Sequence, residues 1–96
     1  MVIIHFADKP HKTRLVAIPD DVVTLNQSVT LRCTAQANPS VSSFKFYHKL
    51  TLVQHSNSNL YHIGAMTEAL NGSYSCVPTN DLGDGLNATM QIKIGG

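Results

Sequence analysis

A chain of 96 residues is about one domain long, and its 43% apolar and 14% charged content is ordinary for a globular fold. A net charge of +1 argues against a dedicated nucleic-acid binder, whose phosphate contacts need a basic surface. No apolar run approaches the roughly 18 residues of a membrane-spanning helix, and no block of like charge marks a disordered tail.

In chain order, residues 1–14 come first. They open with Met1-Val2-Ile3-Ile4-His5-Phe6 and pass through Lys9-Pro10-His11-Lys12, a composition suited to an interdomain linker or an extended N-terminal segment. The start lacks the charged region, long apolar stretch and small-residue cleavage site of a secretory leader. The chain therefore reads as excised from a longer protein, with Gly95 and Gly96 as a tail outside the fold.

Residues 15–94 carry the folding pattern, and its apolar period is two rather than 3.6. Pro19-Asp20-Asp21 and Asn26-Gln27 are turn signals. Val29, Leu31, Cys33 and Ala35 then alternate with Thr30, Arg32 and Thr34, which puts one face of a strand inside and the other in water. Further turn signals stand at Asn38-Pro39-Ser40, Ser56-Asn57-Ser58-Asn59, Asn71-Gly72 and Leu82-Gly83-Asp84-Gly85. Between and after them, Tyr74 and Cys76 alternate with serines, and Ala88, Met90, Ile92 and Ile94 alternate with Thr89, Gln91 and Lys93. Short strands separated by turns about every ten residues predict an all-β sandwich or barrel. There is no helix-length amphipathic segment and no internal repeat.

Two cysteines in a short chain mean one disulfide, two free thiols or half a metal site. Cys33 and Cys76 form no Cys-x-x-Cys pair, which leaves a redox or zinc-ribbon motif unsupported. A disulfide is the first reading. Three Asn-x-Ser/Thr acceptors, at Asn26, Asn71 and Asn87, point the same way, towards the secretory route and an extracellular address.

Around the cysteines the pattern sharpens. Val29-Thr30-Leu31-Arg32-Cys33-Thr34-Ala35 is followed by Ala37-Asn38-Pro39, and Gly72-Ser73-Tyr74-Ser75-Cys76 is followed by Asn80 and Gly83. Over about residues 19–94 this resembles the immunoglobulin superfamily, I-set or C2-like. The resemblance implies an immunoglobulin-like Greek-key β-sandwich of two antiparallel sheets, with Cys33 on strand B and Cys76 on strand F joined across the sheets. It also implies that Tyr74 forms a tyrosine corner, its hydroxyl bonded back to the chain at the E–F turn.

Departures from the family pattern carry expectations of their own. The chain has no tryptophan, so Phe46, in Phe44-Lys45-Phe46-Tyr47-His48-Lys49, is expected to take the core place that a strand C tryptophan normally holds on the disulfide. Leu70 replaces an acidic residue four before the corner tyrosine, which removes a salt bridge common in variable-type domains. Asn26 stands where many members have glycine, and asparagine tolerates the left-handed conformation. By analogy strands A and A′ lie within 15–25, C in 43–49, E in 60–66 and G in 87–94, with 50–54 a short C′ or D edge.

Catalysis finds no constellation. His48, His55 and His62 recur every seven residues, a spacing that on strands and a turn defines no common face, so separate surface histidines and no metal site are expected. Glu68 is the one glutamate, Ser73 and Ser75 lie in no Gly-x-Ser-x-Gly elbow, and Gly83-Asp84-Gly85 is a hairpin turn with no helix after it to cradle phosphate. The expected protein is not an enzyme and needs no cofactor. There is no Arg-Gly-Asp, and strand F carries no arginine of the kind that a likeness to sialic-acid-binding V domains would require.

What remains is recognition. Candidate contacts are the outward residues of strand C and its edge, Lys45, Tyr47, Lys49, Leu52 and Gln54, with the loop 81–86 beside them. The resemblance implies a protein-protein recognition module of a cell-surface adhesion molecule or receptor, its partner a protein ligand or a second copy. Any membrane attachment would come through the rest of a parent chain. A structural module of an intracellular cytoskeletal or muscle array is the alternative.

Overall fold

The computed structural model describes residues 6–95 and contains nine strands in two sheets. Strands β1 (Asp8–Ile18), β3 (Val29–Asn38) and β6 (Leu60–Ile63) form the smaller sheet in the order β1-β3-β6. The larger sheet runs β2 (Val22–Val23), β9 (Ala88–Ile94), β7 (Gly72–Asn80), β4 (Ser43–His48), β5 (Thr51–Ser56), with β8 (Gly83–Asp84) paired to β7. All pairings are antiparallel except β2 with β9, where the chain, having left the smaller sheet after Ile18, joins the larger one in parallel.

The period-two pattern explains the core. Val29, Leu31 and Cys33 from β3 face Phe44 and Phe46 from β4, Tyr74 and Cys76 from β7 and Ile92 from β9, all buried. Cys33 and Cys76 are bonded, tying the two sheets together through their centre. Phe46 lies opposite Cys76 in the strand register, fully buried, and its ring stacks on Tyr61 of β6 with centroids 5.7 Å apart. A phenylalanine thus spans the sandwich where the family has tryptophan, and burying such a ring contributes about 2–3 kcal/mol.

Strand boundaries depart from the sequence reading in three places. β1 passes through residues 14 and 15 without a break and reaches back to Asp8. Its polar first half is held by specific contacts that leave no alternating signal: Pro10 is buried against Gly85, its carbonyl accepts from the Leu86 amide, and Asn80 donates to the Asp8 carbonyl. Lys12 takes a positive φ where the β1–β3 register shifts. β6 stops at Ile63 instead of 66, yet Met66 is fully buried, because its backbone pairs with Asn26 and Gln27 in the turn before β3. Residues 51–56 pair with β4, which makes them C′ and not D. Asn26 itself has φ +68°, the left-handed conformation its chemistry allows.

Candidate recognition face

The outer surface of β4, β5 and the turn joining them carries most of the candidate contact residues. In β4 the inward side chains are Phe44 and Phe46, so Lys45 and Tyr47 point outward. Lys45 Nζ lies 3.3 Å from Asp84 on β8. The Asp84 carboxyl is held below the ordinary aspartate range, first by the Thr79 hydroxyl, which donates to it at 2.6 Å, and further by the Lys45 ammonium. This exposed pair adds little stability but fixes the position of a cation on the face.

β5 contains one irregularity that decides which side chains reach the surface. Phe46 pairs with Gln54 and Tyr47 with Leu52, so Val53 is an extra residue in a bulge. The bulge breaks the alternation. Leu52 therefore shares the outer face with Tyr47, whereas Gln54 shares the inner face with Phe46, and its amide donates to the Leu60 carbonyl at 2.8 Å, linking β5 to β6. Gln54 is thus withdrawn from the expected binding face, and Val53, missed by simple alternation, is exposed beside Leu52.

The turn at Lys49 and Leu50 completes the face. Both residues have positive φ, 49° and 70°, as a two-residue hairpin of the primed type requires, although neither is the glycine or asparagine that such turns favour. Lys49 folds back over Gly72, whose bare Cα leaves room for it. Leu50 points into solvent, 93% exposed.

Behind the face, the corner anchors the turn between β6 and β7. The Tyr74 hydroxyl donates to the Leu70 carbonyl at 2.6 Å, and Leu70 ends the 3-10 turn Glu68–Leu70. Burial, and then the nearby Tyr61, pushes the Tyr74 phenol up to about 12. His48 stacks on the Tyr74 ring with centroids 4.4 Å apart, and its Nε2 donates to the Asn71 carbonyl. His62, in the other sheet, bonds Thr30, and His55 lies on exposed β5, so the three histidines occupy separate environments.

The glycan acceptors differ in their surroundings. Asn26 and Asn87 are exposed, but the Asn71 carboxamide is engaged, accepting from the Ile94 amide at 2.8 Å and donating to Glu68. Asn26, through its bond to Met66, and Asn71 lie at one end of the sandwich. Asn87 follows Leu86 at the other, where β1 meets the β8–β9 connection. A shallow cleft of about 260 Å³ opens where β6 stops short of β3, lined by Ala35, Ala37, Val41, Phe44 and Asn59 among others. It contains no charged group, and among the described residues no three potential metal ligands gather anywhere.

A disulfide-pinned sandwich with a tyrosine corner and an A′–G parallel pair defines an immunoglobulin-type domain. The model of the immunoglobulin domain family matches residues 12–94, and the chain belongs to that family, as a C2-like member. Mouse B-cell receptor CD22 is 29% identical over 76 residues, 79% of this chain but only 9% of the relative's length. The second Ig-C2 domain of human Fc-receptor like A superposes with a TM-score of 0.72 at 24% identity, covering 88% of this chain and 96% of that one. Titin M4 superposes equally well, 0.72 at 19% identity, over 95% of this chain and all of that one.

Proposed function

We propose that this domain is an extracellular protein-protein recognition module of a cell-surface receptor or adhesion molecule, and that it binds through the β4–β5 face. The observation that carries the reading is the disulfide at the centre of the sandwich, a bond that persists in oxidising compartments. The relationship to CD22, a B-cell receptor by name, and three glycan acceptors in 96 residues support the same address. Tyr47, Leu52 and Lys45 supply the aromatic, aliphatic and cationic groups from which contact surfaces are commonly built. Glycans at Asn26 and Asn87 would leave this face open, and occupancy is expected there ahead of Asn71, whose carboxamide is already bonded. The domain is non-catalytic on this reading and uses no cofactor.

The second reading, a spacer in an intracellular array, draws on the likeness to titin M4, which is one of fold alone. Secretion from a eukaryotic cell separates the two. The recognition reading expects a glycosidase-sensitive mass and no alkylatable thiol. Unmodified asparagines with two titratable thiols would reverse the order of the two readings.

A further inference from the structure

The four sheet edges are not equally protected. An exposed edge strand offers unpaired main-chain groups to any second strand, and soluble proteins guard such edges with charge, proline or brevity. Here β1 carries Lys9, Pro10, Lys12 and Arg14, β2 is two residues long behind Pro19, Asp20 and Asp21, and β6 is four residues long. β5 is the exception. Thr51-Leu52-Val53-Gln54-His55-Ser56 contains no lysine, arginine, carboxylate or proline, and on the side away from β4 it pairs with no strand among the described residues.

The start of this strand and the turn before it carry a cluster of exposed apolar surface. Leu50 is 93%, Leu52 49% and Val53 37% exposed, three large apolar side chains within four residues. Leu50 also occupies the left-handed region, where a glycine would relieve the backbone and remove the apolar surface at once. A residue that costs both conformational strain and exposure in the isolated domain is accounted for by a contact in which it is covered.

We propose that β5 is a self-association edge, on which two copies of the domain pair β5 with β5 antiparallel about a twofold axis while each Leu50 packs against the partner copy. This deepens the recognition reading above by naming the partner, and it rests on that reading. A second copy is the occupant that the charges favour. A twofold pairing within β5 sets only uncharged side chains and His55 opposite one another, Lys45 is already matched by Asp84, and a net charge of +1 gives little repulsion between whole domains. The Val53 bulge interrupts the outer edge, and six residues with a hairpin tip fall below the ~800 Å² per partner of a stable complex, so the affinity expected is weak, with Kd on the order of 10–1000 µM.

Sedimentation equilibrium of the intact, disulfide-bonded and glycosylated domain from ~1 µM to ~1 mM, bracketing that expected Kd, tests the proposal. Wild type should populate a dimer. Leu52→Lys, which places a charge on the edge, should weaken it at least tenfold, whereas Val22→Lys, at an exposed site on β2 at the opposite edge of the same sheet, should leave it unchanged. Leu50→Gly should weaken association about fivefold or more while raising the melting temperature, an opposite pairing that misfolding cannot produce. Amide exchange in β5 should slow as concentration rises. A strict monomer throughout the range, or a dimer indifferent to Leu52→Lys, overturns the self-pairing. Such a result leaves the extracellular reading standing, because thiol alkylation and glycosidase sensitivity are read from the same sample.

Discussion

Replacing Tyr74 by phenylalanine removes one atom from a buried site and leaves the rest in place. The ring is 1% exposed, and its stack on His48 requires only the aromatic face, which phenylalanine keeps. The loss is the 2.6 Å bond to the Leu70 carbonyl. A buried hydrogen bond contributes about 1 kcal/mol net, and leaving a carbonyl partly unsatisfied raises the cost to about 1–2 kcal/mol. For a domain of this size that corresponds to a melting-temperature drop of roughly 5–10 °C. With no tryptophan in the chain, far-ultraviolet circular dichroism is the suitable probe, by temperature and by urea. The phenol adds a pH signature. Its pKa is raised on folding from 10 to about 12, so its contribution is fully present below pH 10 and is lost as pH rises through 12. The stability gap between wild type and Tyr74→Phe should therefore narrow between pH 10 and 12. An unchanged melting temperature at neutral pH would refute the corner as a stabilising device.

Other perturbations follow from the same structure. Asn80 is the one buried polar side chain among the described residues, donating to the Asp8 and Pro39 carbonyls and accepting from the Leu82 amide, so Asn80→Ala should cost about 2–3 kcal/mol in urea denaturation. Reducing the disulfide, or replacing Cys33 and Cys76 by alanine together, opens a ring whose ends are 43 positions apart and should remove about 4 kcal/mol; a shift below about 1 kcal/mol would contradict the chain-entropy account.

Much of this fold was written in simple alternation. Cys33, Phe46, Tyr74, Cys76 and Ile92 each sit at the inward phase of a regular strand, and a period of two suffices to place them. Where pairing is irregular, the sequence misleads. Leu52 and Gln54 share a parity and so were expected on one face, but the extra residue between them sends one out and the other in. The first half of β1 escapes for another reason. Lys9 to Arg14 bury one proline and otherwise fold through an irregular pairing with β3 and a main-chain bond from the Leu86 amide to the Pro10 carbonyl, an arrangement that leaves no apolar period to read. The left-handed turn at Lys49 and Leu50 is likewise invisible in composition, because the residues there are not those the conformation prefers.

The covalent link between Cys33 and Cys76 has a further effect on the fate of the chain. It closes a loop that contains β4, β5, β6 and the exposed turn at Lys49, a natural point of attack for a protease that cleaves after basic residues. A single cut there would leave both fragments on one molecule, each still held by its sheet and by the sulfur bridge. Nicked protein would migrate as intact until reduced. On the recognition reading proposed above, severing the tip would blunt the β4–β5 face without shedding the domain.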